Sequence, residues 1–194
     1  MIAVTGFYGK LPARGDFVRL GLPRGFVDPW DAWWQRGISA TREAAADWTA
    51  AWLEAPVWRF SLPPGLCGDG AALGLWLPSV DRAGRYFPLT IAAVGDPGLL
   101  TDDAAGGFLA EAEQAGLDAL EHDLNPDALC RRIAAAFGAG SAAPSRDLRL
   151  DVATWWTDGG TRVAATTIAT SALPEGAVFA AMLDNAWGTL EAYS

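Results

Sequence analysis

Two short segments hold most of the residue types from which a site could be built. Lys10, Arg14 and Asp16 lie close together in Gly9-Lys10-Leu11-Pro12-Ala13-Arg14-Gly15-Asp16. Asp81, Arg82, Arg85 and Tyr86 follow in Ser79-Val80-Asp81-Arg82-Ala83-Gly84-Arg85-Tyr86. Two arginines beside an aspartate can form a bidentate pair that fixes a loop tip. The same set can instead form an anion or carboxylate clamp offered to a partner. A glycine-bearing loop can present backbone N–H groups to an anion. If the first loop folds back, Lys10, Arg14 and Asp16 join Asp81 and its arginines, and a small Asp/Arg-dependent enzyme becomes an alternative. That alternative requires a ligand-sized pocket beside Arg82 and Arg85. Residue types alone leave bracing, docking and catalysis open.

Other candidate chemistry is weaker. Gly6-Phe7-Tyr8-Gly9-Lys10 resembles half of a phosphate loop, but the positions for the leading glycine and the metal-binding hydroxyl are Val4 and Leu11. Nucleotide hydrolysis is therefore not expected. Arg14-Gly15-Asp16 spells the adhesion tripeptide by chance, and Gly15 is expected to serve a tight turn. No Gly-x-Ser-x-Gly nucleophile elbow occurs. His122 is the only histidine, so no histidine pair can hold a metal. It sits between Glu121 and Asp123 and reads as a surface residue. The carboxylates Asp102, Asp103, Glu111, Glu113, Asp118, Glu121, Asp123 and Asp127 read as a solvated acidic face, without the spacing of a calcium loop. No catalytic residue, metal or cofactor is assigned.

Composition narrows the partners. The 194 residues carry a net charge of −9, and all of the excess lies in residues 101–194. Such a surface repels nucleic-acid phosphates and anionic lipid. The first residues lack the pattern of a secretory signal. No apolar run approaches the ~20 residues of a membrane span, so direct membrane insertion is not expected. Cys67 and Cys130 share no metal or redox spacing, which fits free thiols in the cytoplasm.

The elements that must position these residues follow from periodicity. Strands are expected over Ile2–Tyr8, Val57–Leu62, Leu73–Leu77 and Phe87–Val94, with a hairpin turn over Val80–Arg85. Gly9–Gly25 reads as loop. Asp28-Pro29 signals a helix start. Trp30, Trp33, Trp34 and Ile38 then recur at helical spacing, and Ala45, Trp48 and Trp52 continue or restart that pattern. This stripe is read as core, with a partner-facing ridge as the alternative. Helices are expected from about Asp102 to Leu124 and from Asn125-Pro126-Asp127 onward. Gly138–Pro144 reads as a mobile loop. A hairpin of Leu148–Thr157 and Thr161–Thr170 turns at Asp158-Gly159-Gly160, and Pro174-Glu175 opens a last helix. The fold class is α+β, a mainly antiparallel sheet packed with helices in a single domain, residues 1–194.

Several segments, in order, are similar to one family. Gly6-Phe7-Tyr8-Gly9-Lys10-Leu11-Pro12-Ala13-Arg14-Gly15-Asp16-Phe17 resembles the opening signature of the TagF (ImpM) family of bacterial type VI secretion accessory proteins. Pro29-Trp30-Asp31-Ala32-Trp33 and Ala55-Pro56-Val57-Trp58-Arg59-Phe60 resemble its next blocks. Pro78-Ser79-Val80-Asp81-Arg82-Ala83-Gly84-Arg85-Tyr86-Phe87-Pro88-Leu89-Thr90 resembles its most telling one, and Trp155-Trp156-Thr157 with Gly159-Gly160 a later hairpin. The likeness is dense over residues 6–94 and looser over the helices and hairpin of 102–190.

The resemblance implies a non-enzymatic, post-translational repressor of type VI secretion. It implies action by binding the system's forkhead-associated scaffold protein, apart from the kinase–phosphatase switch. Some family members are fused to a serine/threonine phosphatase; since this chain ends at Ser194, any such partner is expected as a separate protein. A structural accessory subunit of the secretion machine is a further alternative. No family catalytic residues are carried over. Lys10, Arg14, Asp16, Asp81, Arg82, Arg85 and Tyr86 are the expected partner-binding residues. The oligomeric state stays open.

Overall fold

The computed structural model describes residues 3–12, 14–100, 102–122, 124–137 and 150–188. Alternating side chains make a sheet with two usable faces. Seven strands form it: β1 (Val4–Gly9), β2 (Val18–Leu20), β3 (Trp58–Leu62), β4 (Ala71–Leu77), β5 (Leu89–Gly95), β6 (Ala153–Thr157) and β7 (Thr166–Thr170). Their order is β2-β1-β5-β4-β3-β6-β7, and every pairing is antiparallel. β3, β4 and β5 are a meander. The opening strand β1 returns to pair with β5, Val4 opposite Val94 and Gly9 opposite Leu89.

Both faces are covered, and by different chemistry. Along β4, Ala72 and Trp76 point to one side while Ala71, Leu73, Leu75 and Leu77 point to the other. The first side receives α1 (Arg24–Ala44), α2 (Trp48–Glu54) and α5 (Gly176–Leu183). Its core is aromatic: Trp30, Trp33, Trp34, Trp52, Trp58, Trp76 and Trp155 are fully buried. The second side receives α3 (Asp102–His122) and α4 (Pro126–Ala136), and its core is largely Leu, Ile and Ala. The tryptophan stripe is therefore core, as its spacing indicated. Layers of helix on each face of an antiparallel sheet satisfy the α+β expectation.

Three local readings are corrected. Gly9–Gly25 is not all loop, because Val18–Leu20 pairs with the outer edge of β1. Residues this few carry little strand signal of their own; the open edge of β1 supplies the hydrogen bonds. Helix α1 starts at Arg24 rather than at Asp28, and Pro29 lies inside it. Burial of Phe26 and Val27 adds packing that draws the preceding turn into the helix. The loop between β6 and β7 runs from Asp158 to Ala165, longer than the turn expected. There Gly159 takes φ +87°, Gly160 N–H donates to the Val163 carbonyl, and Ala164 N–H donates to Asn185. The expected loop over Gly138–Pro144 lies outside the described residues.

The acidic run is not simply solvated. Glu113 pairs with Arg59 of β3 at 2.5 Å, and Arg132 of α4 pairs with both Glu111 and Asp118. His122 ends α3 as an exposed residue, as expected. Cys67 is a buried free thiol and Cys130 a half-buried one.

Candidate functional site

The two candidate segments meet. Asp81 opens a tight turn in which its N–H donates to the Arg85 carbonyl at 3.0 Å and Gly84 N–H donates back to its carbonyl at 2.9 Å. Gly84 takes φ +75°, which favours glycine there. One carboxylate oxygen of Asp81 accepts the N–H groups of Ala83 and Arg85, both at 2.9 Å. The other accepts Lys10 Nζ at 2.6 Å and Arg85 Nε at 2.7 Å. The Asp81 side chain is fully buried and that of Lys10 nearly so.

Four donors thus saturate one carboxylate. Burial alone pushes the Asp81 carboxyl up, but the hydrogen bonds from Lys10, Arg85 and Ala83 outweigh it and hold it well below the usual range. A group so held is a fixed anion and a poor proton acceptor at neutral pH. Arg85 then reaches further and donates to the Gly15 carbonyl, tying the turn to the first loop. Ser79 donates to the Lys10 carbonyl at 2.9 Å, and Trp52 Nε1 donates to the Ser79 carbonyl at 3.1 Å. The clamp is anchored directly to the aromatic core.

Of the seven predicted residues, Lys10, Asp81 and Arg85 form this one cluster. Arg82 does not join Asp81; it stands exposed at the tip. Arg14 and Asp16 are exposed on the first loop, where Asp16 accepts the Phe17 N–H at 2.8 Å. Gly15 has open space around it and no positive φ, so the turn does not require glycine there. Tyr86 is half-buried, its ring edge-on to Trp48 at 5.3 Å.

The half phosphate-loop string lies in β1, where its glycines serve close packing. A Cβ on Gly6 would sit 2.1 Å from the Leu20 carbonyl oxygen, and one on Gly9 would sit 1.9 Å from that of Pro88. These residues hold β1 against its neighbours rather than cradling an anion.

Sequence reasoning missed Phe17 as a site residue. Its ring stacks on Tyr8 at 5.7 Å, meets Phe87 edge-on at 4.8 Å, and lies 4.3 Å from Lys10 Nζ. It remains 40% exposed. An aromatic side chain in a Gly/Pro-bearing loop is the only signal that could have found it. Also missed was a groove of about 570 Å³ along α1, which Tyr86 and Phe87 help to line. Among the described residues, no cluster of His, Cys, Asp and Glu could hold a metal, and no helix is long and apolar enough to cross a membrane.

A family model described as the TagF N-terminal domain, type VI secretion system-associated, matches residues 6–136. The chain belongs to this family. The TagF match spans β1 through α4, so it takes in both halves of the Lys10–Asp81–Arg85 cluster. Among solved structures, the chain is similar to PA0076 from Pseudomonas aeruginosa PAO1, at 32% identity and a TM-score of 0.76. That likeness covers 93% of this chain and 94% of the other, so it extends past the TagF-matched segment into the β6–β7 hairpin and α5. No curated protein matches. Membership of the TagF family associates the chain with type VI secretion.

Proposed function

We propose that this protein is a non-enzymatic, post-translational repressor of type VI secretion that acts by binding the forkhead-associated scaffold protein of that system. One observation carries the non-enzymatic part: the carboxylate a hydrolase or transferase would need, Asp81, is buried and filled by four donors from Lys10, Ala83 and Arg85. It braces two loops and leaves Arg14, Asp16 and Arg82 facing solvent. A rigid brace presenting charged side chains suits protein recognition, where ordering costs are met in advance. Family membership supports the pathway. The binding surface in this reading is the Lys10–Asp16 loop together with the Asp81–Tyr86 turn.

Deletion of the gene should raise effector secretion, and the purified protein should retain the scaffold protein in co-purification. Unchanged secretion without co-purification would overturn the proposal. Reduced secretion would point to a structural subunit instead.

A further inference from the structure

We infer that the exposed cationic tip formed by Arg14, Arg82 and Arg85 docks a compact cluster of carboxylates on a partner protein. This deepens the preceding reading and rests on it for the assumption that the two loops contact protein.

The tip is one continuous surface. Arg85 donates to the carbonyl of Gly15, the residue after Arg14, and Arg82 lies in the same tight turn as Arg85. All three arginines are exposed. The acids within reach are already engaged. Asp81 is buried and shared between Lys10 and Arg85. Asp16 accepts the Phe17 N–H, and Asp31, reached through Tyr8, accepts from Tyr8 and Gln35. Over the two loops, the four cations Lys10, Arg14, Arg82 and Arg85 are set against Asp16 and Asp81 alone.

That surplus runs against the rest of the chain, whose net charge is −9. Elsewhere arginines gather carboxylates. Arg59 pairs with Glu113 and Asp158, Arg132 with Glu111 and Asp118, and Arg162 with Asp47, Glu54 and Asp184. The Arg14 and Arg82 side chains make no ion pair or hydrogen bond among the described residues. Arg24 and Arg131 are also unpaired, but they belong to separate helices. At the tip, two free guanidinium groups stand beside a third that is anchored and still half-exposed.

The donors that remain select the ligand. The N–H groups of Ala83 and Arg85 are spent on Asp81, so the turn keeps no backbone nest to cradle a phosphate. Guanidinium groups are left, planar donors that match carboxylates. A long polyanion would extend beyond the tip into the field of an acidic chain. A compact acidic cluster feels chiefly the charges within a Debye length, about 8 Å at physiological salt. The local field attracts such a cluster and rejects a basic face.

The test is a nuclear magnetic resonance titration of the isotope-labelled whole chain with hexaglutamate, hexalysine and hexathymidylate, at low and at physiological salt. Hexaglutamate should shift the signals of Arg14, Gly15 and Arg82 to Arg85, less so at the higher salt, and the other two probes should not. Arg14→Glu/Arg82→Glu should weaken hexaglutamate binding about tenfold or more. Both positions are exposed, and near-ultraviolet circular dichroism of the tryptophan core checks folding. Absence of binding, shifts confined to other regions, binding of hexalysine or hexathymidylate as tight as that of hexaglutamate, or binding unchanged in the variant would overturn the inference. Co-purification of the scaffold protein is scored separately. Scaffold binding that survives the double variant removes the tip as the docking surface and leaves the proposed function standing. Hexaglutamate binding as described, with no scaffold bound by the wild type, does the reverse.

Discussion

The two faces of the sheet solve the same burial problem with different materials. On one, α1, α2 and α5 bring large rings into contact: Trp30 meets Phe60 at 4.7 Å, Trp33 meets Trp34 at 4.8 Å, and Trp34 meets Trp76 edge-on at 4.8 Å. On the other, α3 and α4 lay Ala112, Ala115, Leu129 and Ile133 over Leu73, Leu75, Leu89 and Ile91. Rings have few rotamers and polar edges that need partners. Trp30, Trp33, Trp48, Trp52, Trp58 and Trp155 each donate Nε1 to an oxygen between 2.6 and 3.1 Å away. Aliphatic chains need no such partners and can shift. The candidate site sits on the rigid face, which teaches that positional accuracy there is obtained from aromatic packing and indole hydrogen bonds.

The largest effect should separate the faces directly. Trp30→Ala removes a ring and orphans the Thr90 hydroxyl that its Nε1 reaches at 2.9 Å. It should cost about 4–5 kcal/mol in denaturant unfolding, against about 3 kcal/mol for Leu75→Ala on the other face. Equal losses would break the contrast. Next, Asp81→Asn leaves Lys10 buried opposite a neutral amide and should cost about 3 kcal/mol. The same carboxyl sets a pH limb. Its folded value is depressed, so its contribution is fully present above about pH 5, starts to decline as pH falls below about 4, where the unfolded carboxyl takes up a proton, and is lost as pH falls further through the depressed folded value. Acid titration of stability should be shallower in Asp81→Asn than in the wild type.

A matched pair of helix glycines gives a smaller, sharper comparison. A Cβ on Gly37 of α1 would lie 2.4 Å from the Phe179 ring, whereas one on Gly116 of α3 would lie 2.7 Å from a Leu77 methyl and 3.1 Å from an Ile91 methyl. Alanine gains about 1 kcal/mol of helix propensity at either site. The ring cannot yield easily and the methyls can rotate. Gly37→Ala should therefore be destabilising by about 1–2 kcal/mol, and Gly116→Ala should fall within about 0.5 kcal/mol of the wild type. The mildest probe is chemical. Burial pushes the Cys67 thiol, in the aromatic core, up to about 12. Burial also raises that of Cys130, beside the aliphatic core, with Asp127 adding to it. Thiol labelling at pH 8 should modify Cys130 first, and Cys67 only on unfolding.

Much of this was legible in the chain itself. The Trp30–Trp33–Trp34 spacing and the alternation of Trp58, Phe60 and Leu62 fix helix and strand by local periodicity alone. What was not legible depends on distant segments. Strand β2 exists because β1 has an open edge, and α1 begins early because Phe26 and Val27 find the core. In the site, Asp81 and Arg85 were readable as a turn pair four residues apart. Lys10 stands seventy-one residues from its partner, and no local pattern encodes that contact. Nor does any pattern distinguish Arg85, which braces, from Arg82, which does not.

The pairing of β1 with β5 has a consequence in time. Val4 is seated only when Val94 exists to receive it, and at about 5–20 residues per second a ribosome needs roughly 5–20 s to make the stretch between them. In the later part of that interval the tryptophans of α1 have been made but lack the sheet that covers them. The nascent chain therefore displays an adhesive aromatic stripe for seconds, and its yield in the cell should depend on chaperones that shield such stripes until the fifth strand arrives.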